Sequence, residues 1–239
     1  MKRIECAQGS VEWLEARAGI PTASEFDNLI TPKWEIRKGQ TPKTYLSKKL
    51  AEKWLGGPLA SFGSWATEQG QILQDECVPW YEFEFNCKVD RVGLITTDDG
   101  LAGCSPDGLI KSAINGADVG LEVKCLQPPH HVECLIDGEL PDDFAAQVHG
   151  SMWVTGFQQW KFVAYRRKFP PLILTVARDE EIIGKIETAV TLFNDRLNRA
   201  FERLVELNGG VKPVRPPKSP GEVKFTWEQQ QDDAVGVTP

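Results

Sequence analysis

The sequence predicts an α/β domain in which a mixed central β-sheet is flanked by α-helices. Three observations carry this. Apolar residues recur at helical spacing up to about residue 81 and again beyond residue 179. Between them, residues 86–126 are rich in Val, Ile, Leu and Cys and are punctuated by turn residues. The length of 239 residues, with 41% hydrophobic and 26% charged residues, suits one large domain with its own core.

The elements follow in order. Thr22-Ala-Ser-Glu25 has the capping-box pattern and opens a short helix. Thr41-Pro42 opens a second, with proline at its first position, a stripe of Leu46, Leu50 and Trp54, and a stop at Gly56-Gly57-Pro58. A third helix is expected over about 64–81, with Ile72, Leu73, Cys77 and Trp80 inward and Pro79 kinking or ending it. Strands are expected at about 87–96, 101–110 and 119–126, with turns at Asp98-Asp99-Gly100 and Asn115-Gly116. Pro141-Asp142-Asp143 starts a helix that Gly156 ends, the two acids suiting its positive end. Strands at about 158–165 and 171–177 flank a turn at Phe169-Pro170-Pro171. A long amphipathic helix then runs over about 179–207, with Ile183, Ile186, Val190, Phe193, Leu197, Phe201 and Leu204 on one face, up to Gly209-Gly210. The division is a domain over 1–208 and a Pro-rich extended tail over 209–239, in which Phe225 and Trp227 stand out.

Net charge is −7, which excludes a general basic coat but not a local basic patch. No apolar run approaches the ~18 residues of a membrane span, and the N-terminus lacks the apolar stretch of a secretory signal. The six cysteines are dispersed with no CxxC pair, which points to a reduced, cytoplasmic protein. No Gly-rich loop ends in GK[ST], so no nucleotide cofactor is expected.

The informative stretch is Ser105-Pro106-Asp107-Gly108 followed by Leu121-Glu122-Val123-Lys124. Side chains alternate along a strand, so Glu122 and Lys124 share one face while Leu121, Val123 and Cys125 face the core. A hairpin through Asn115-Gly116 brings the charged pair beside Asp107. Two close carboxylates repel unless a cation sits between them, and oxygen ligands suit Mg²⁺ or Mn²⁺. Lys124 adds a donor that can hold a water, and the set suits phosphodiester hydrolysis. The bland alternative is a solvated hairpin, since Pro-Asp-Gly is a common turn.

Pro106-Asp107…Glu122-Val123-Lys124 matches the PD-(D/E)xK nuclease signature. Together with Arg17-Ala-Gly-Ile-Pro-Thr-Ala-Ser24, Cys104-Ser-Pro-Asp-Gly108, Leu121-Glu-Val-Lys-Cys125 and Ala146-Gln-Val-His-Gly-Ser-Met-Trp-Val-Thr155, it resembles the bacteriophage lambda exonuclease and YqaJ-type viral recombinase family over about residues 10–205. The resemblance implies a restriction-endonuclease-like core. It implies an alkaline, Mg²⁺-dependent exonuclease that digests linear double-stranded DNA 5′→3′ to 5′-mononucleotides, leaving 3′ single strands for recombination. It also implies a ring-shaped homotrimer and a single-strand annealing protein as partner. Alternatives on the same residues are a structure- or site-specific endonuclease and a catalytically weak end-binding scaffold.

Carried over by position, Asp107, Glu122 and the carbonyl of Val123 would hold metal, Lys124 would position the attacking water, and Gln147 would lie beside the centre. Arg17 and Ser24 would form the pocket for a terminal 5′-phosphate, Ser24 from the first turn of the helix after Thr22. One position departs: where the family often has a glutamate four residues after a glycine, this chain has Gly70…Gln74. Gln74 is a weaker ligand, and Glu68, Asp75 or Glu76 is the candidate replacement.

DNA contact is expected to be local. Residues 33–53 hold Lys33, Arg37, Lys38, Lys43, Lys48, Lys49 and Lys53 against two acids, Glu35 and Glu52. Arg37-Lys38-Gly39-Gln40 reads as a loop arching over a duplex end. Trp34 and Tyr45 could stack on a base, whereas Trp54 reads as core. His130-His131, after Pro128-Pro129, reads as a loop, and these histidines and His149 as structural or surface residues.

Overall fold

The computed structural model describes residues 1–59, 65–112 and 116–213, with the backbone alone described over 65–72. The Asn115 turn residue and the tail beyond 213 lie outside the described residues. The elements are β1 (Lys2–Ile4), α1 (Val11–Arg17), a 3₁₀ helix (Ala23–Asn28), α2 (Gln40–Leu55), α3 (Trp65–Phe85), β2 (Leu94–Thr96), β3 (Gly103–Cys104), β4 (Gly108–Lys111), β5 (Asp118–Lys124), α4 (Pro128–Asp137), α5 (Asp142–Thr155), β6 (Gln159–Ala164), β7 (Leu172–Ala177) and α6 (Glu180–Leu207). Among the described residues no helix is long and apolar enough to cross a membrane.

The expected mixed sheet forms in the order β4-β5-β6-β7, with β5 and β6 parallel and the outer pairs antiparallel. A second, three-stranded antiparallel sheet, β1-β2-β3, was not expected. The expected strand at 101–110 is broken at Ser105-Pro106-Asp107, and its halves belong to different sheets. Pro106 has no N–H to give to a ladder, so the chain leaves one sheet and enters the other there. That break sets Asp107 at the mouth of β4, where its N–H donates to the Leu121 carbonyl at 3.0 Å.

Two close contacts, one between strands and one between helices, fix the elements that matter. Gly120 in β5 lies under the Trp160 ring, where a Cβ would come within 2.3 Å of ring atoms. Trp160 is fully buried, and removing such a ring costs about 3–5 kcal/mol. Gly150 in α5 receives Phe26 of the 3₁₀ helix, where a Cβ would lie 2.4 Å from the ring. This close approach seats the Ser24 turn against the helix that carries Gln147.

The face of α6 behaves as its periodicity dictates: Ile183, Ile186, Val190, Phe193 and Leu197 are buried, and Asp179 caps the helix by accepting from the Glu181 and Ile182 N–H groups. Leu73 and Cys77 of α3 are buried as expected. That helix continues through Pro79 to Phe85, so the proline does not end it. The expected loop at His130-His131 is a correction. Pro128 and Pro129 occupy the first turn of α4, where a missing N–H costs nothing, and His131 is fully buried with Nε2 2.9 Å from the Pro170 carbonyl.

Candidate active site

Strand β5 carries the centre. Leu121 and Val123 enter the apolar cluster with Cys77, Val78 and Tyr81 of α3, so Glu122 and Lys124 emerge on the opposite face. Lys124 Nζ stands 2.7 Å from Glu122 Oε1. Gln147, from α5, joins both: its amide donates to Glu122 Oε1 at 2.7 Å, and its Oε1 accepts from Lys124 Nζ at 2.9 Å. Asp107 completes the group from the neck before β4. Its Oδ2 accepts the Val123 N–H at 2.6 Å, and its Oδ1 accepts from the Gln74 amide. The ring of Phe144 lies 5.1 Å from the Lys124 ammonium. The structure therefore brings together Asp107, Glu122, Lys124, Gln147 and Gln74.

The electrostatics of this centre are unbalanced. Two buried carboxylates face one ammonium, and Glu122 Oε2 is buried with no hydrogen-bond partner among the described residues. Burial, then the charge of Glu122, pushes the Asp107 carboxyl upward. Burial opposes the charge of Lys124, but Glu122 outweighs it and its pKa rises. An orphaned carboxylate oxygen beside a second acid is what a divalent cation would satisfy, so the residues fit Mg²⁺ or Mn²⁺. Asp107, Glu122 and the Val123 carbonyl would hold it. Among the described residues no group of three or more His, Cys, Asp or Glu side chains could hold a metal ion, so water would supply the remaining ligands. The candidate replacements for Gln74 do not reach: Asp75 pairs with Arg91 at 3.5 Å and Glu76 with Arg167. The Glu68 side chain lies outside the described residues.

A second cluster lies beside the first. Arg17 ends α1, and its Nη2 donates to Thr22 Oγ1 at 2.9 Å and Ser24 Oγ at 3.3 Å. The helix after Thr22 is a six-residue 3₁₀ turn, and the Thr22 side chain does not cap it; its hydroxyl donates to Glu25 Oε2 at 3.0 Å. The expected helix-terminus field is correspondingly small, which leaves the Arg17 guanidinium and the exposed Ser24 hydroxyl as the groups that could meet an anion. Two residues that sequence reasoning missed connect the clusters. Trp13 lies under the Arg17 guanidinium at 4.3 Å, and its indole N–H donates to Ser105 Oγ at 2.8 Å, two residues before Asp107. Their signal was the spacing Trp13…Arg17 on one helix face and the serine adjoining Pro106-Asp107.

The basic patch divides. Lys49 is a correction: it is 2% exposed and bonded to Glu25 at 2.9 Å and Glu52 at 3.1 Å, so it is not free to meet a phosphate. Lys48 is exposed and pairs with Glu25 at 2.7 Å. Lys38 and Lys43 are exposed. Arg37 donates from Nε to the Asp27 carbonyl at 2.6 Å and from its N–H to Leu29, so the expected arching loop is pinned at this residue. Tyr45 is core, stacked on Phe193 at 5.0 Å; Trp54, expected in the core, is only half-buried and packs on Phe201; Trp34 is half-buried, edge-on to His149. His149 is buried and its pKa falls through desolvation, in keeping with a structural role.

The model of the YqaJ-like viral recombinase domain matches residues 12–158, which span both clusters. The chain belongs to that family. Its fold is similar to the alkaline exonuclease LHK-Exo of Laribacter hongkongensis, with a TM-score of 0.73 and 26% identity over 84% of this chain and 99% of that one. LHK-Exo in complex with dAMP gives a TM-score of 0.75 at 27% identity, again over 84% and 99%. A phage-related exonuclease from Haemophilus somnus 129PT shares the fold at 13% identity, with a TM-score of 0.55 over 77% and 96%. Comparison with curated proteins gives no match. These likenesses place the expected nuclease-type core, a mixed sheet flanked by helices, on firm ground.

Proposed function

We propose that this member of the YqaJ-like family is a metal-dependent exonuclease that digests linear double-stranded DNA from its 5′ ends, releasing 5′-mononucleotides and leaving 3′ single strands for annealing. The observation that carries the reading is the pairing of an acid centre having one negative charge too many with a cationic cluster one hydrogen bond away through Trp13 and Ser105. The first suits a cation; the second suits a terminal phosphate. The dAMP bound to LHK-Exo has the chemistry of the product this hydrolysis releases.

A divalent ion held by Asp107 and Glu122 supplies Lewis acidity at the scissile phosphate. The chain's own residues do the rest. Lys124 holds the attacking water and keeps its charge, because Glu122 sits 2.7 Å away. Gln147 fixes Glu122 and Lys124 in one geometry, so neither needs to reorganise as charge develops. Val123 fixes Asp107 from the backbone. Arg17, with Ser24, grips a terminal phosphate by charge-assisted bonds and sets which phosphodiester lies at the acids. Lys38, Lys43 and Arg37 meet the duplex backbone. The reading includes a homotrimer and a single-strand annealing partner, both carried by resemblance and both open to sizing and pull-down measurements.

The test is digestion of linear duplex, with and without a 5′-phosphate, in Mg²⁺ and in Ca²⁺, beside circular duplex. Mononucleotides from the phosphorylated linear substrate in Mg²⁺ alone are expected. Cutting of the circle would assign an endonuclease instead, and binding without products a scaffold.

A further inference from the structure

A groove of about 470 Å³ separates the 36–46 segment from α6, on a part of the surface that the acid centre does not use. Its apolar lining includes Ile36, Leu46, Leu192 and Phe193. Arg37, Lys38, Lys43 and Arg196 stand around it, and no acidic residue among the described ones lines it. Ile36 is 39% and Leu192 37% exposed, so apolar surface and three exposed cations, Lys38, Lys43 and Arg196, are left open together, with the half-buried Arg37 beside them. An occupant that satisfies both must offer apolar rings and negative charge in one short stretch.

The chain holds such a stretch. Residues 225–233 read Phe-Thr-Trp-Glu-Gln-Gln-Gln-Asp-Asp, with two aromatics, three acids and no cation. Ahead of it the sequence has Pro213, Pro216, Pro217 and Pro220. We infer that this segment, Phe225–Asp233, docks in the groove between the 36–46 segment and α6 of its own chain.

The reach permits it. Leu192 lies fifteen residues before the end of α6, about 22 Å along the axis. From Pro213 to Phe225 the chain extends up to about 40 Å. Tethering raises the effective concentration to about the millimolar range, so even a contact of about 0.1 mM affinity fills the groove most of the time. A nucleic acid backbone would use the cations but leave the apolar lining uncovered. Three of the four cations are those assigned above to the duplex backbone. On that reading of the site, the tail and DNA compete, and DNA entry displaces the tail.

The experiment uses the full chain with the photoreactive residue benzoylphenylalanine in place of Trp227. Irradiation without DNA is expected to cross-link position 227 to residues within 36–46 or 189–196 of the same chain. Arg196→Glu, which reverses one rim charge, lowers the yield about fivefold. Cross-links elsewhere, a yield unchanged by Arg196→Glu, or links only between isotopically distinct copies would overturn the proposal; the last would make a second copy's tail the occupant. Added duplex DNA is expected to suppress the cross-link. A cross-link that forms as stated but ignores DNA would overturn the competition while leaving the docking intact. Docking in a protein that digests no DNA would fault the nuclease reading alone.

Discussion

The acid centre and the Arg17 cluster are built from the same kinds of groups, with opposite surplus. At the acid centre, Asp107 and Glu122 outnumber Lys124, and one carboxylate oxygen has no partner among the described residues. At the cluster, Arg17, Lys48 and Lys49 outnumber Glu25 and Glu52. The first is rigid because two amides, Gln147 and Gln74, and a backbone N–H hold the acids. The second is rigid because Glu25 gathers four donors: Lys48, Lys49, Tyr45 and Thr22. A site short of a positive charge and a site rich in it are joined by Trp13 and Ser105, and on the proposed function the first reacts and the second positions.

That contrast can be broken at either end. The largest effect is expected at the acid centre. Asp107→Ala or Lys124→Ala should lower duplex digestion by about a thousandfold or more, with circular dichroism unchanged. Digestion at the parent rate by Asp107→Ala would remove this centre from the chemistry.

Next is Glu25, whose role is to hold the cluster together. Burial would raise its carboxyl, but Lys49 and Lys48 outweigh burial and hold it at about 2, below the usual 4.5. A lowered folded-state value contributes stability that is present above pH 4.5 and lost as pH falls toward 2. The full contribution is about 3 kcal/mol. Glu25→Gln should cost about that much at pH 7 in urea unfolding and flatten the acid limb of the stability profile. An unchanged midpoint would show that the cluster is not held this way.

Arg17→Ala should reduce the preference for 5′-phosphorylated over unphosphorylated ends by about 10–100-fold, the worth of charge-assisted bonds to one phosphate. Digestion of both ends in the parent's ratio would move the phosphate elsewhere. The smallest effect is expected from Gln74→Glu, which places a third carboxylate against Asp107. Divalent-ion binding by calorimetry should tighten about tenfold. Weaker binding would mean that the neutral amide is the better support for Asp107.

Residues that lie on regular, half-buried elements were legible in the sequence. The alternation Leu121-Glu122-Val123-Lys124 settled which face carries the charges, and the stripe of α6 settled its buried side. Elements without an apolar pattern were not legible. No residue of α1 is buried, and β1 is a three-residue edge, so neither leaves a periodic signal. With α1 unseen, Trp13 had no place beside Arg17. The break at Pro106 was read as a continuous strand because proline's missing N–H matters only once the ladder partners are known. Lys49 is one of seven cations in residues 33–53, and Glu25, which pairs with it, stands 24 residues earlier in the chain, beyond the reach of any local pattern.

The proposed hydrolysis requires a divalent ion seated among Asp107, Glu122 and Lys124. An anomalous difference map from crystals soaked in Mn²⁺ tests this directly. A single strong peak within coordination distance of Asp107 and Glu122, about 2.0–2.4 Å, is predicted. A map with no peak there, while the same crystals diffract with these residues ordered, would contradict it.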